Sequence, residues 1–386
     1  MNITLLNHQK DLYKIEPRGN YIAEFYHDPS ANDQMHIWMF HPAANTVFEI
    51  SPDRKKVQFV EIVNCIWNCR DVYYATCDIP ASSRLELSIY KYQTDTGSDI
   101  KICSFIKSVD ILQDHRKIRL FLLNESMILM QTETLHQGDN PRNMMGNIDF
   151  QLTLYNLDSG DEINVSEANL LNNGIHEMIP VSDSKIMMKT GYSFLEDSRL
   201  TASTENNAFI EGVYMITTAK FIADIVLEQD FVDMPLIESA YMDKHITLPK
   251  VTDHYTHFCV VDPSNGTSKC VFYQNDSGDR LEYTLNSFQQ DDLYLTYVVN
   301  HTPYVRRSVP GKVTFLNLKK AESDIIFYDE KFVDQIGQLF LMTSSETSRR
   351  KTDFRIYDYP KLNQILKERK EYHFSCCLNG DYYIYC

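Results

Sequence analysis

The sequence lacks the short motifs that identify the common enzyme classes. It contains no glycine-rich phosphate loop, no G-x-S-x-G nucleophile turn, no H-E-x-x-H metal pair and no EF-hand loop. No C-x-x-C pair occurs either, so the nine cysteines do not have the spacing of a zinc site. We therefore predict no cofactor and no metal site.

Glycine and proline are scarce, with 13 of each in 386 residues, which argues against low-complexity segments and flexible linkers between domains. No apolar run approaches the roughly 18 residues that a membrane-spanning helix needs. The first residues lack the basic and apolar regions of a signal peptide. Together with an odd number of cysteines, these features predict a cytoplasmic protein with reduced thiols.

Basic residues are outnumbered by acidic ones. The chain has 37 Lys plus Arg against 53 Asp plus Glu, which gives a formal net charge of −16. Because an acidic surface repels nucleic acids and anionic membranes, we predict that neither is a partner.

Tyrosine and phenylalanine are abundant, with 24 and 20 residues, and they lie in short runs that favour β-strands. The clearest unit spans residues 280–328, where four such runs alternate with turn residues. We predict antiparallel strands at 281–286, 293–299, 313–316 and 324–328. Residues 301–311 would then form a loop between the second and third strands.

A strand–turn–strand hairpin recurs along the chain, with successive copies about 53 residues apart. Seven copies begin near Ile37, Leu87, Gln151, Gly212, Thr256, Lys312 and Phe354. Their turns at 93–97, 155–160 and 261–266 supply the Asp, Asn and Gly that tight hairpins need, and they resemble the Y-D-x-x-T-G turn between the outer strands of propeller blades. The chain therefore resembles the β-propeller superfamily, without the motif of any specific family.

This resemblance implies an all-β fold. We predict a seven-bladed β-propeller of four-stranded antiparallel blades, in which residues 1–386 form a single domain closed by pairing of the N- and C-terminal strands. The alternative has eight blades, the last built from both termini: residues 372–386 form a strand pair and residues 2–7 add a third strand. An array of β-sandwiches has similar strand spacing but needs linkers that the sequence lacks. Segments 166–173 and 360–370 are candidates for short helices, and the second is also a candidate outer strand.

Long connections between second and third strands are predicted at 28–35, 78–85, 133–149, 192–211, 301–311 and 343–353. In a propeller these connections lie on one face, where loops on a rigid scaffold commonly carry function. They contain arginines and aromatic residues, and guanidinium groups match carboxylates and phosphates. We therefore predict a binding or scaffold module that recognises a protein, a peptide or a small anionic ligand on this face. The candidate binding residues are Arg142, Arg306, Arg307, Arg349, Arg350, Tyr192, Tyr304 and His136.

The alternative function is a propeller enzyme, such as a hydrolase, a lyase or a peptide-modifying enzyme. Its residues would converge from different blades and leave no linear motif. Besides the same arginines, the candidates are His136, Tyr192 and His301, with Asp139 or Glu196 as acid or base.

Four further residues, His245, Asp253, His254 and His257, form the best candidate metal cluster. In a continuous strand His254 and His257 would point to opposite faces, so we predict no metal there.

Overall fold

The computed structural model describes residues 2–28, 34–50, 59–62, 64–65, 71–81, 84–108, 115–136, 147–165, 174–182, 184–191, 211–226, 236–240, 244–286, 295–344 and 354–386. Near several strand ends the structure describes the backbone but not the side chains. The described residues form strands β1 to β33 and one helix, α1.

The chain begins with β1 (Ile3–Leu6), β2 (Leu12–Arg18), β3 (Tyr21–Asp28), β4 (Gln34–His41) and β5 (Thr46–Ile50). The middle part contains β6 (Phe59–Ile62), β7 (Asn64–Cys65), β8 (Val72–Ala81), β9 (Arg84–Gln93), β10 (Ser98–Ser108), β11 (His115–Asn124), β12 (Met127–His136), β13 (Asn147–Asn156), β14 (Glu162–Asn164), β15 (Ile175–Ser182), β16 (Lys185–Thr190), β17 (Glu211–Thr217), α1 (Thr218–Val226), β18 (Leu236–Ala240), β19 (His245–Ile246), β20 (Lys250–Val251), β21 (Tyr255–Asp262), β22 (Thr267–Gln274) and β23 (Arg280–Leu285). The last part contains β24 (Thr296–Val299), β25 (Thr302–Val309), β26 (Lys312–Asn317), β27 (Glu322–Tyr328), β28 (Glu330–Ile336), β29 (Leu339–Ser344), β30 (Phe354–Asp358), β31 (Gln364–Glu368), β32 (Phe374–Leu378) and β33 (Asp381–Tyr385).

These strands form eight sheets, and the chain divides into two compact units. The first unit combines Met1–Asp53 with Leu295–Cys386 and holds the sheets β2-β3-β4-β5, β24-β25-β26-β27, β28-β29-β30-β31 and β1-β33-β32. The second unit, Arg54–Tyr294, holds the sheets β6-β8-β9-β10, β7-β11-β12-β13-β14, β15-β16-β17-β18 and β19-β21-β22-β23, with β20 also paired to β21.

The prediction of seven blades is wrong, and the alternative of eight is confirmed. The C-terminal hairpin β32–β33 does not join another blade but forms a sheet with the N-terminal strand. In this sheet β1 runs parallel to β33, with Ile3 opposite Tyr382 and Leu6 opposite Tyr385. The predicted pairing of the two termini is therefore present, whereas a single closed domain over residues 1–386 stays a prediction.

The predicted loop at 301–311 is wrong. Asn300 and His301 both have a positive φ, of 47° and 57°, which is the backbone of the tight two-residue turns that suit hairpins. This turn sends the chain directly into β25, so most of the predicted loop is the second strand of its sheet. The predicted first strand, β23, belongs instead to the preceding sheet, where it pairs with β22. Residues 78–85 are also largely strand, since β8 runs to Ala81 and β9 begins at Arg84.

Two of the predicted hairpins are built differently. After β17 the chain forms α1 rather than an outer strand, because the Thr217 hydroxyl accepts the Lys220 N–H at 3.3 Å and caps the helix, while Phe221 is buried. The hairpin predicted near Thr256 supplies the second and third strands of its sheet, and β23 supplies the fourth. Segment 360–370 contains the outer strand β31 rather than a helix, and segment 166–173 lies outside the described residues.

In the first unit, the terminal sheet packs against the sheet that begins with β2. The two faces meet in an apolar cluster that includes Leu12, Ile22, Phe40, Leu378 and Tyr385. Strand alternation places Ile22, Glu24 and Tyr26 on this same face of β3. This contact between two sheets positions the candidate site.

Candidate functional site

Three of the sequence-predicted site residues lie in β25, and two of them are buried. Arg306 is 9% exposed, and its guanidinium lies over the Phe332 ring at 4.9 Å from the centroid. Tyr304 is fully buried, and its hydroxyl lies 3.3 Å from both Asn317 Nδ2 and the Tyr359 hydroxyl. Arg307 is exposed. The structure thus uses Arg306 and Tyr304 inside the sheet packing, and a role in binding stays a prediction.

The other predicted site residues cannot be placed beside these three. Arg142, Tyr192, Arg349 and Arg350 lie outside the described residues, and so do Asp139 and Glu196 of the enzyme alternative. His136 ends β12, and its side chain is not described. His301 lies in the turn between the first and second strands of its sheet, at the opposite end from the connection between the second and third.

The candidate metal cluster is dispersed into separate contacts. His245 Nδ1 lies 3.0 Å from Glu211 Oε1, whereas the His257 ring stacks on Phe272 with a centroid distance of 5.5 Å. Among the residues that the structure describes, no three His, Cys, Asp or Glu side chains are placed to hold a metal ion.

A cleft of about 240 Å³ opens in the first unit, between the terminal sheet and the sheet that contains β3 and β4. We call it the Glu24 cleft. The main side chains that line it are Leu6, Glu24, Tyr26, Trp38, Phe40 and Tyr385. Strand pairing sets this arrangement, because Trp38 lies directly opposite Glu24 and Phe40 lies opposite Ile22. Directly opposed residues of an antiparallel pair share one face.

Glu24 is 8% exposed, and two tyrosines hold its carboxylate. The Tyr385 hydroxyl donates to Oε1 at 2.6 Å, and the Tyr26 hydroxyl donates to Oε2 at 2.7 Å. Burial, reinforced by the neighbouring carboxylate, raises the pKa of both tyrosines. Both hydroxyls therefore remain protonated donors at neutral pH, and they fix the carboxylate in one orientation.

Glu24 differs in its charge partners from the two other buried glutamates that the structure describes. Glu211 has Lys189 Nζ at 3.5 Å, and Glu330 is paired with Arg355. No lysine, arginine or histidine among the described residues forms an ion pair with Glu24, which has only the two hydroxyls. A buried carboxylate without a cation is costly, because it has lost water without gaining a counter-charge.

Aromatic rings surround this carboxylate. The Tyr26 and Trp38 rings meet edge to face, with centroids 6.5 Å apart and planes at 79°. Phe40 and Tyr385 are both more than nine-tenths buried. Ring faces attract cations, and a carboxylate attracts them further. The cleft can therefore accept an ammonium or guanidinium group.

Sequence reasoning did not find this site, although a signal was present. Period-two alternation places Glu24 on the same face as Ile22 and Tyr26, so an acidic residue occupies an inward-facing position in an apolar strand. The partner hydroxyl comes from Tyr385, 361 residues away along the chain, and no local pattern connects the two.

These features define the class of the protein. Largely antiparallel sheets, mostly of four strands and built mainly from strands that follow one another closely in the chain, are the blades of a β-propeller. The chain is a β-propeller protein. Among the described residues, no helix has the length and apolar character needed to cross a membrane.

The chain matches no protein-family model and no curated protein. Among solved structures, it is similar to dipeptidyl peptidase 4 of Porphyromonas gingivalis, with 11% identity and a TM-score of 0.54. That match covers 95% of this chain and 55% of the peptidase, so the chain spans about half the length of that protein. It is also similar to the β-propeller domain of the trilobed protease of Pyrococcus furiosus, with 10% identity and a TM-score of 0.42 over 94% of this chain and 96% of that domain. At these identities the similarity concerns the fold.

Proposed function

We propose that this protein is a binding module whose Glu24 cleft holds a cationic group, an ammonium or guanidinium, of a protein or peptide partner. The observation that carries the proposal is the buried Glu24 carboxylate, which faces an aromatic cleft and has no described cation partner. A positive group in the cleft would supply the missing counter-charge, and the ring faces of Trp38 and Tyr26 would add to the attraction.

The charge of the whole chain supports the same type of ligand. A formal net charge of −16 favours approach of a cation and disfavours approach of an anion. The prediction of a small anionic ligand depended on loop arginines, and the structure uses Arg306 in packing on Phe332. We therefore propose a basic partner segment rather than an anionic ligand.

Binding of a simple amine tests this proposal. Trp38 and Trp67 are the two tryptophans of the chain, so Trp67→Phe leaves Trp38 as the fluorescent reporter inside the cleft. We expect butylammonium to change the Trp38 emission with saturation, and butanol, which has the same alkyl chain without the charge, to have no saturable effect. Glu24→Gln keeps the shape of the side chain and one of its two acceptor oxygens but removes the negative charge, so it should weaken butylammonium binding about tenfold or more.

Glu16→Gln is the matched control, because Glu16 lies in the same sheet but is paired with Arg18 and Lys14. The control should bind butylammonium as the parent does. Equal affinities of the Glu24→Gln and Glu16→Gln variants would refute the proposal.

A further inference from the structure

The terminal sheet has one strand fewer than the other sheets of its unit. Its order is β32-β33-β1, whereas the other three sheets of the first unit have four strands each. Within the described part of the chain, β1 pairs with β33 on one edge and with no strand on the other. The place that a fourth strand would take, next to the outer edge of β1, is therefore not filled by any described strand.

The backbone of this edge is available for pairing. The Asn2 and Leu6 carbonyls accept the N–H groups of Tyr382 and Cys386, each at 2.9 Å. In a parallel ladder the backbone groups of alternate residues point to the same side, so Ile3 and Leu5 direct their N–H and C=O groups to the outer edge. The strand, Ile-Thr-Leu-Leu, contains neither a charged residue nor a proline. Those are the residues that usually protect an edge strand from further pairing.

The Glu24 cleft lies beside this edge. Leu6 of β1 is part of its lining, and Val47 of β5, which is 52% exposed, lies at its outer side. A strand added to β1 would direct every second side chain toward β4 and β5. A long basic side chain in such a strand would extend past Trp38 toward the Glu24 carboxylate.

We infer that the partner of this site is a short extended peptide segment that adds to β1 as a fourth strand and places a lysine or arginine side chain in the Glu24 cleft. The inference rests on the proposed function, because it takes the cation in the cleft to belong to this segment. Backbone hydrogen bonds to Ile3 and Leu5 would hold the segment, and its charge would be complementary to Glu24.

The test uses the peptide acetyl-Thr-Leu-Thr-Lys-Thr-Leu-Thr-amide, in which leucine and lysine side chains share one face of a strand. Two analogues carry three N-methyl groups each, one on the two leucines and the lysine, the other on the two threonines between them and on the C-terminal threonine. Because alternate N–H groups of a strand point to opposite edges, only one of these two sets can donate to β1. We expect one analogue to bind at least about tenfold more weakly than the parent peptide and the other to bind similarly.

Amide hydrogen exchange on the protein gives the second readout. We expect the peptide to slow exchange of the Leu5 amide about tenfold or more, and to leave the Thr4 amide, which faces β33, unchanged. Equal affinities of the two methylated analogues, with Leu5 exchange unaltered, would overturn the added strand. A Leu5 amide already protected in the free protein, together with sedimentation as a dimer, would overturn it in favour of a second copy on this edge.

Failure of the added strand is distinguishable from failure of the proposed function. If butylammonium and the peptide both bind in a Glu24-dependent way but the methylated analogues do not differ, the cation site stands and the added strand is refuted. If butylammonium binds in a Glu24-dependent way and the peptide does not bind at all, the added strand is refuted as well. If neither probe depends on Glu24, the proposed function fails, and the inference fails with it.

Discussion

His257 lies in β21 with its imidazole buried and stacked on the Phe272 ring. Burial, with a smaller contribution from the positive charge of Lys250 on the adjacent strand β20, lowers the pKa of His257 to about 3. The imidazole is therefore neutral in the folded protein over the whole range in which an ordinary histidine titrates.

We predict that this histidine makes folding stability depend on pH. As the pH falls below about 6.5, the unfolded chain binds a proton at His257 and the folded chain does not until about pH 3, so acid favours unfolding. The contribution is fully present above pH 6.5 and decreases by up to about 1.4 kcal/mol for each pH unit below it. Urea unfolding from pH 7.5 to 4.5 should show a steeper loss for the parent protein than for His257→Leu.

His301→Asn is the control for this experiment, because His301 is exposed and asparagine tolerates its positive φ. This variant should retain the pH dependence of the parent. The same slope in the parent and in His257→Leu would contradict the prediction.

Glu24 is a buried residue whose carboxylate depends on a hydroxyl from the other end of the chain. The inward-facing position of Glu24 could be predicted from the alternation of β3, but its role in a candidate binding site could not. The carboxylate becomes a site only through Tyr385 and through the lack of a described cation partner, and both depend on which sheet packs against β3. A binding role for the sequence-predicted arginines stays a prediction, and charge alone does not reveal whether a guanidinium packs on a ring, as that of Arg306 does on Phe332.

At the scale of the element, the turn before β25 places Arg306 and Arg307 in a strand, whereas the sequence predicted that they lie in a loop. Arg306 and Arg307 are adjacent residues of this strand, so their side chains point to opposite faces. Arg306 is buried against Phe332, and Arg307 is exposed. Nothing in the sequence indicated different exposure of the two arginines in a loop, whereas the alternation of a strand buries one and exposes the other.

We predict that truncating these two arginines changes folding stability to different extents. Arg306→Ala removes the contact with Phe332 and should lower the free energy of unfolding by about 1–3 kcal/mol. Arg307→Ala should change it by less than about 0.5 kcal/mol, as expected for an exposed position. Urea unfolding of the two variants measures both effects. Equal effects of the two substitutions would show that β25 does not bury Arg306.

Local sequence patterns were not sufficient to predict helix α1 or to choose between helix and strand for β31. Apolar residues of short segments fit a helix or a strand equally well, and the outcome depends on packing: Phe221 of α1 enters a buried cluster, and β31 pairs with β30. The Asn300–His301 turn was missed because asparagine and histidine are less distinctive there than a glycine would be.

At the scale of the whole molecule, the repeat of hairpins was sufficient to predict the β-propeller class, and the number of blades was not. The eighth sheet has no complete copy of the repeat, because its strands come from the two ends of the chain. Among the described residues that sheet has three strands, and the outer edge of β1 lies unpaired beside the Glu24 cleft. The net charge of −16 then favours a basic partner at this place.

A crystal structure of the protein with butylammonium would show whether the Glu24 cleft binds a cation. We predict that the ammonium nitrogen lies about 3 Å from the Glu24 carboxylate, with the alkyl chain against Trp38. An empty cleft at a concentration that saturates the fluorescence change, or an ammonium bound only elsewhere, would show that the Glu24 cleft is not a cation site.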